Sequence, residues 1–199
     1  MSGLFISFEG IDGVGKSTQA DLLEAWLTEQ NKEVIRTLEP GGTDVGIEIR
    51  KILLHHKGDL APRAEAALFA ADRAHHVASK IRPALEQGKI VITDRYFDSS
   101  VAYQGAGRDL SRTEVRDLSL WAVGGLLPNL TVLLDLPAGE ARARRNSSGT
   151  EPDRLEKEKT EFFETVRSAY LDLAKAEPDR FLVVDASVSV EAMQSVIRE

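Results

Sequence analysis

The chain of 199 residues carries a formal net charge of −7 and contains no cysteine. Its length is typical of one domain, and its acidic balance argues against non-specific binding to nucleic-acid backbones. The absence of cysteine excludes disulfides, thiolate metal sites and thiol catalysis, and it is typical of a reducing compartment. No segment reaches the roughly 20 consecutive apolar residues of a membrane span. We therefore expect a single cytoplasmic domain over residues 1–199, with no membrane and no nucleic-acid partner.

Short apolar segments alternate with longer helical patterns along the chain. The predicted strands are Leu4–Glu9, Glu33–Leu38, Lys89–Thr93, Leu130–Leu136 and Phe181–Asp185. The predicted helices are Thr18–Glu29, Arg63–Leu85, Thr113–Val123, Asp153–Ala174 and Ser189–Arg198. Strands rich in Val, Ile, Leu and Phe with little alternation are typical of a sheet covered on both faces. The pattern therefore predicts an α/β fold with a parallel sheet.

A glycine-rich motif follows the first predicted strand. Gly10-Ile11-Asp12-Gly13-Val14-Gly15-Lys16-Ser17 fits G-x-x-x-x-G-K-[ST], and an amphipathic helix comes next. In such a loop the backbone N–H groups point at phosphate oxygens, and the helix start adds its positive end. Lys16 would reach the β- and γ-phosphates, and the Ser17 hydroxyl would ligate Mg²⁺. The motif predicts a site for a nucleoside triphosphate; the alternative is a structural strand–helix turn.

The acceptor of the phosphoryl group needs a separate argument, because phosphate loops serve several classes of protein. The chain lacks the Asn/Thr-Lys-x-Asp guanine signature and is too small for a typical motor, which leaves a transferase. Asp94 and Arg95 follow the third predicted strand, whose carboxyl end is expected beside the phosphate loop. There an aspartate can hold Mg²⁺ or a proton, and an arginine can hold a phosphate. Taken alone, the pair also fits a helix cap with a surface salt bridge.

Further motifs recur along the whole chain in a fixed order. The segments that carry them are Phe8–Thr18, Glu39–Thr43 with Ile49-Arg50, Leu68–Arg73, Asp94–Gly105 and Pro152–Glu156. In sequence, order and spacing they resemble the signatures of bacterial thymidylate kinases. One position departs from that pattern: the family commonly has arginine before E-P-G-G, where this chain has Leu38. Because an acceptor contact from position 38 is therefore missing, we expect Arg50 and Arg95 to supply more of the contacts with the acceptor.

The resemblance implies a P-loop kinase fold, with a five-stranded parallel sheet, flanking helices and a short lid at about residues 142–154. It implies ATP and Mg²⁺ as cofactors, dTMP as the acceptor and a homodimer, for which the helix carrying Ala64–Val77 is one candidate surface. The expected reaction transfers the γ-phosphoryl group of ATP to dTMP and yields dTDP and ADP for dTTP synthesis. Phosphoryl transfer of this kind depends on positioning and charge neutralisation.

The resemblance also assigns residues to the site. ATP would be bound by Gly10, Ile11, Asp12, Gly13, Val14, Gly15, Lys16, Ser17 and Thr18, and Mg²⁺ by Ser17, Asp12 and Asp94. The acceptor would be bound by Asp12, Glu39, Arg50, Phe69, Arg73, Arg95, Ser99, Ser100, Tyr103 and Gln104. Phe69 would stack on thymine, and Arg73, four residues later on the same helix face, would donate to its exocyclic oxygen. Ser100 and Gln104 would address the base edge.

Catalytic roles fall to Lys16, Asp94 and Arg95, and to an arginine-rich segment that carries Arg142, Arg145 and Arg154. Because the phosphate loop contains no arginine, we expect Arg145 first, with Arg142 and Arg154 behind it, to neutralise the transferring group. The polar loop Asn146–Pro152 would then close as a lid. Alternatively, the cluster is a solvated helix face and the loop is a passive connector.

Other interpretations remain open for single residues and for the whole chain. Phe69 also fits core packing, and Arg73 also fits a surface ion pair with Glu65 or Asp72. The four histidines, His55, His56, His75 and His76, are expected at the surface and not as metal ligands. For the chain as a whole, the alternatives are another deoxynucleoside or nucleotide kinase and, from a different class, a non-enzymatic nucleotide switch.

Overall fold

The five predicted strands form one parallel sheet in the computed structural model, which describes residues 3–108, 110–147, 149 and 151–199. The strands are β1 (Leu4–Glu9), β2 (Val34–Leu38), β3 (Ile90–Asp94), β4 (Leu130–Asp135) and β5 (Phe181–Asp185). Their order is β2-β3-β1-β4-β5, and every neighbouring pair is parallel. The predicted α/β fold with a five-stranded parallel sheet is confirmed.

Helices cover both faces of this sheet. They are α1 (Lys16–Glu29), α2 (Asp44–His55), α3 (Pro62–His76), α4 (Arg82–Glu86), α5 (Phe97–Tyr103), α6 (Arg112–Ala122), α7 (Ala138–Ser147), α8 (Thr160–Ala176) and α9 (Val190–Ile197). A π-helical turn, Val77–Ile81, joins α3 to α4, so the predicted helix Arg63–Leu85 is continuous. Within the described ranges, no helix is both long enough and apolar enough to cross a membrane.

The structure differs from the predicted helices in four places. Helix α8 begins at Thr160, whereas the sequence predicted a helix from Asp153. The reason is local: the Asp153 carboxylate accepts the backbone N–H groups of Leu155 and Glu156, which favours a turn over a helix. Helices α2 and α5 were not predicted, and α7 extends to Ser147, into the segment that was expected as a loop from Asn146. Every residue of α5 is buried, so its sequence lacks the amphipathic period that marks a surface helix.

The carboxyl ends of three strands converge on one edge of the sheet. Phe8 of β1 and Leu38 of β2 both pair with Asp94, the last residue of β3. Beyond the strands the ladder continues, because Arg95 N donates to Phe8 O at 2.9 Å and Glu39 N donates to Asp94 O at 2.9 Å. The segments that follow β1, β2 and β3 therefore begin side by side, as at the ligand-binding edge of a doubly wound sheet.

Apolar clusters fill both sides of the sheet, and a smaller cluster lies beside it. The small cluster consists of Leu53 and Leu54 of α2, Phe69 of α3, and Leu155, which lies after the predicted lid. These residues pack against one another and form a cluster separate from the two that pack on the sheet. The cluster thereby holds the segment around Leu155 against α2 and α3, next to the edge described above.

Candidate active site

The predicted phosphate loop runs from the end of β1 to the start of α1. Gly10, Gly13 and Gly15 have φ angles of 132°, 90° and 97°, in the region that favours glycine. A Cβ at Gly13 would lie 2.1 Å from the carbonyl oxygen of Ala141, because α7 packs directly on the loop. Lys16 Nζ donates to Ile11 O at 2.8 Å and lies 3.7 Å from Asp12 Oδ1. Burial, reinforced by Arg95, lowers the pKa of Lys16, while Asp12 opposes the shift.

Two oxygen-bearing side chains meet at the strand edge. Ser17 Oγ, in the first turn of α1, donates to Asp94 Oδ2 at 2.5 Å. Arg36 of β2 approaches the same Asp94 oxygen at 3.9 Å. A hydroxyl beside a carboxylate suits a hard cation such as Mg²⁺, which takes few protein ligands and keeps substrate phosphates as the others. Asp12, the third predicted metal ligand, forms its shortest ion pair with Arg95 instead.

Arg95 lies at the centre of a buried polar network. Its φ of 69° is unusual for a residue other than glycine and turns the chain sharply after β3. Its guanidinium donates to Asp12 Oδ1 at 2.6 Å, Gly10 O at 3.0 Å, Ser99 Oγ at 3.1 Å, Tyr103 OH at 3.2 Å and Tyr170 OH at 3.3 Å. Burial alone would raise the pKa of Asp12, but Arg95 and Lys16 together hold it below the usual range.

Glu9, which sequence reasoning missed, lies beneath this network at the end of β1. Its carboxylate accepts hydrogen bonds from Ser99 Oγ at 2.6 Å, Tyr96 N at 2.7 Å and Tyr170 OH at 2.8 Å. Burial, with a smaller contribution from the charge of Asp98, raises the pKa of Glu9 to about 7. The sequence did contain a signal for Glu9, because a carboxylate at the end of an apolar strand, directly before a phosphate loop, is unusual.

Two cavities adjoin at this edge. The larger, which we call the phosphate cleft, has a volume of about 670 Å³ and is lined by the phosphate loop, Asp94 and Arg36, among others. The smaller, which we call the side pocket, has a volume of about 150 Å³. The residues that line both cavities are Asp12, Glu39, Arg50, Arg95 and Glu156. Arg50 and Arg95 therefore meet at the junction, where Arg50 Nη1 also donates to Pro40 O at 2.6 Å.

The far end of the side pocket is lined by an aromatic ring and several polar groups. The lining residues there include Phe69, Ser99, Ser100, Tyr103 and Gln104, as predicted, and also Leu54, Asp153 and Leu155. Asp153, Leu155 and Glu156 were not predicted as binding residues, although they belong to the D-R-x-E motif after the predicted lid. Phe69 packs in the small apolar cluster, as the core interpretation expected, and it also lines the pocket; stacking on a base stays a prediction.

Arg73 lies behind this pocket and is almost fully buried. Its Nε donates to Glu39 Oε2 at 2.7 Å, and its Nη2 donates to Ser100 Oγ at 3.1 Å. Its Nη1 is buried and has no hydrogen-bond partner within the described part of the chain. The alternative of a surface ion pair with Glu65 or Asp72 is wrong, because Glu39, brought in after β2, is the partner.

The three arginines expected in the lid lie in three different environments. Arg145 lines the phosphate cleft and donates to Glu156 Oε2 at 2.5 Å. Arg142 lines a neighbouring cavity under α7 and donates to Thr160 Oγ1 at 2.8 Å. Ser148 and Thr150 of the predicted lid lie outside the described residues.

Arg154 does not reach the phosphate cleft, contrary to the expectation of a catalytic lid arginine. Its Nε donates to Leu53 O at 2.9 Å, and its Nη2 forms an ion pair with Glu65 of α3. The turn that Asp153 initiates directs Arg154 toward α2 and α3. Arg154 instead lines a separate cavity together with Arg108 and Glu158.

Two further expectations meet different outcomes. His76 is buried, with its ring nitrogens 2.9 Å from Glu39 Oε1 and 2.7 Å from Thr37 Oγ1, so the prediction of a surface residue is wrong there. It is confirmed for His55, His56 and His75, which are exposed. Leu38 lines the phosphate cleft with 40% of its surface exposed. Arg36, two residues earlier on the same face of β2, lines that cleft as well.

Comparisons with known proteins agree with this geometry. A family profile described as thymidylate kinase matches residues 8–197. A thymidylate kinase from Leifsonia xyli is 66% identical over 98% of this chain and 93% of its own length. One from Bifidobacterium longum is 54% identical over 99% of this chain and 96% of its own length. The crystal structure of thymidylate kinase from Ehrlichia chaffeensis superposes with a TM-score of 0.80 at 32% identity, covering 100% of this chain and 98% of that one.

Proposed function

Since the chain belongs to the thymidylate kinase family, we propose that the phosphate cleft binds ATP and that the side pocket binds dTMP. As a member, the protein is an ATP-dependent nucleoside monophosphate kinase, a phosphotransferase. The main observation in support of this assignment is that the two cavities share lining residues. Arg50 and Arg95 line both cavities, so a phosphate at the junction would lie between two guanidinium groups and next to the phosphate loop.

In the proposed reaction, an oxygen of the dTMP phosphate attacks the γ-phosphorus of ATP. The bond from that phosphorus to the bridging oxygen breaks, and the electron pair leaves with ADP. Arg50 and Arg95 hold the attacking phosphate, which overcomes the repulsion between two anions. Lys16 and the N–H groups of the loop stabilise the charge on the transferred group. Arg145, at the wall of the cleft, adds a further positive charge.

Mg²⁺ is proposed at Ser17 and Asp94, whose oxygens are 2.5 Å apart. The adjacency of a hydroxyl and a carboxylate at the start of α1 fits this ion, which would neutralise charge on the β- and γ-phosphates when bound. Asp12 is better suited to the acceptor side, because Arg95 and Tyr103 engage its carboxylate. There it orients Arg95 toward the junction.

We also propose a homodimer formed through the face of α2, α3 and α6. Helix α3 packs against both α2 and α6, and its Ala64, Ala67 and Ala71 are exposed. On α6, Trp121 has 79% of its surface exposed, which is costly for so large an apolar side chain. A second copy would cover this face. Trp121→Glu is expected to shift the protein from dimer to monomer in analytical ultracentrifugation. A cytoplasmic location is proposed because a chain without cysteine fits a reducing compartment.

A coupled ADP-release assay across dTMP, dUMP, dCMP, dAMP, dGMP and thymidine tests the proposal directly. We expect dTMP to exceed dCMP by at least about 10³-fold in kcat/KM, because a buried hydrogen-bonding site rejects a mismatched base. Preference for thymidine would favour a deoxynucleoside kinase. ATP binding without turnover of any acceptor would favour the nucleotide switch. Two arginines at the junction support the monophosphate acceptor over both alternatives.

A further inference from the structure

Glu65, in the first turn of α3, is buried behind the side pocket and does not line it. Side chains from separate segments converge on its carboxylate. Gln104 Nε2, just after α5, donates to Oε1 at 2.9 Å, and Arg108 Nε reaches the same oxygen at 3.4 Å. Arg154, at the end of the predicted lid, forms an ion pair with Oε2.

The chemistry of this carboxylate determines which way the Gln104 amide points. Two guanidinium groups contact Glu65, and an ionised carboxylate accepts hydrogen bonds but cannot donate them. The amide nitrogen of Gln104 must therefore face Glu65. A glutamine amide can otherwise turn over and exchange its donor for its acceptor with no change in shape.

With its nitrogen held by Glu65, Gln104 presents its oxygen to the side pocket. Gln104 lines that pocket, and no donor from the described residues bonds its Oε1. The Nη1 group of Arg73 likewise has no partner among the residues that the structure describes. The pocket thus offers an acceptor from Gln104, with an unpaired donor from Arg73 behind it.

Thymine carries a donor, N3–H, next to an acceptor, the C4 carbonyl oxygen. Cytosine reverses both groups, because its N3 accepts and its amino group donates. We propose that Glu65 is a positioning residue that fixes the Gln104 amide with its oxygen toward the base, and so selects bases with N3–H over cytosine. This inference rests on the proposed binding of dTMP in the side pocket.

Glu65→Gln tests the proposal, because a glutamine partner can accept from or donate to Gln104 and so leaves its amide free to turn. The ratio of kcat/KM for dTMP to that for dCMP should fall at least about tenfold. The ratio for dTMP to dUMP should stay unchanged, since uracil also carries N3–H. A merely structural role for Glu65 would lower all three activities together.

Two comparison variants make the test specific. Arg108→Gln removes another partner of Glu65 and should leave the dTMP-to-dCMP ratio unchanged. In a Gln104→Leu background, Glu65→Gln should have no further effect on that ratio, because the amide it positions is gone. If Glu65→Gln fails to fold, the double variant Glu65→Met/Arg154→Met removes both charges of the buried pair, and the same fall in ratio is expected.

An unchanged dTMP-to-dCMP ratio in a folded, active Glu65→Gln protein overturns the inference. So does a fall that persists in the Gln104→Leu background. A wild-type protein that does not phosphorylate dTMP would instead overturn the proposed binding of dTMP, so the two failures are distinguishable.

Discussion

The phosphate cleft is built around one contiguous motif, the phosphate loop, whereas the side pocket is lined by side chains from α2, α3, α5 and the segment after residue 152. In the cleft, the proposed binding groups are backbone N–H groups and one lysine, and glycines with positive φ permit the required backbone. At the pocket, polar side chains are held by partners from other elements, as Gln104 in its wall is by Glu65 and Arg73 behind it is by Glu39. Changes in the cleft should therefore affect turnover, and changes in the pocket should affect selection of the acceptor.

Lys16→Met gives the largest expected effect on the phosphate side. The role proposed for Lys16 is to stabilise charge that grows in the transition state, so kcat should fall by about 10³-fold. Steady-state kinetics, with circular dichroism to verify folding, checks this. A folded variant with nearly normal turnover would contradict the proposed role of the cleft.

Arg145→Ala should lower kcat by about 10²-fold and change the Kd for ATP less than about tenfold, because the arginine acts mainly in the transition state. Arg154→Ala is the matched comparison, since Arg154 is bound to Leu53 and Glu65 away from the cleft. Its single-turnover rate should fall less than about tenfold. Equal losses in both variants would mean that the arginines act through a common structural effect, and normal turnover in both would make the cluster a solvated face.

Glu9→Gln tests whether the buried carboxylate below the junction makes the unfolding free energy depend on pH. The pKa of Glu9 is raised to about 7 from 4.5, so the native state retains a proton that the unfolded state has lost between these values. The stability that Glu9 contributes is therefore present below about pH 4.5 and is lost as the pH rises through 7. Between pH 5 and 8 the wild type should lose about 2 kcal/mol of unfolding free energy relative to Glu9→Gln.

Urea unfolding of both proteins at pH 5 and pH 8 measures this difference. Glu29→Gln serves as the control, because Glu29 is an exposed carboxylate at the end of α1. A constant difference for Glu9→Gln would show that Glu9 titrates normally.

Phe69→Leu gives the smallest expected effect, and it tests whether a change in the side pocket alters acceptor binding without altering turnover. Leucine keeps the apolar packing with Leu53, Leu54 and Leu155 but loses the aromatic face offered to a base. We expect KM for dTMP to rise about tenfold, with kcat within about threefold and KM for ATP unchanged. If only the melting temperature falls and KM for dTMP is unchanged, Phe69 is a packing residue alone.

The features that could be predicted from the sequence are those formed by residues that are neighbours along the chain. The five strands were predicted because each is a short apolar run, and the phosphate loop because its spacing serves a local backbone geometry. Arg50, Arg95, Ser100 and Gln104 were expected in the site through motif resemblance, and they line the side pocket. The roles proposed for them stay predictions.

The amino-acid sequence by itself determined the five strands, the amphipathic helices and the phosphate loop, because these depend on neighbouring residues. Only the tertiary structure decided which partners the buried charges have: Glu39 for Arg73, and Glu65 for Arg154. It also decided that Glu9 and His76 are buried. The physical reason is that a charged group removed from water must find its partner in space, and these partners are separated along the chain by 34 and 89 residues. Pairings between residues so far apart along the chain cannot be predicted from local sequence patterns.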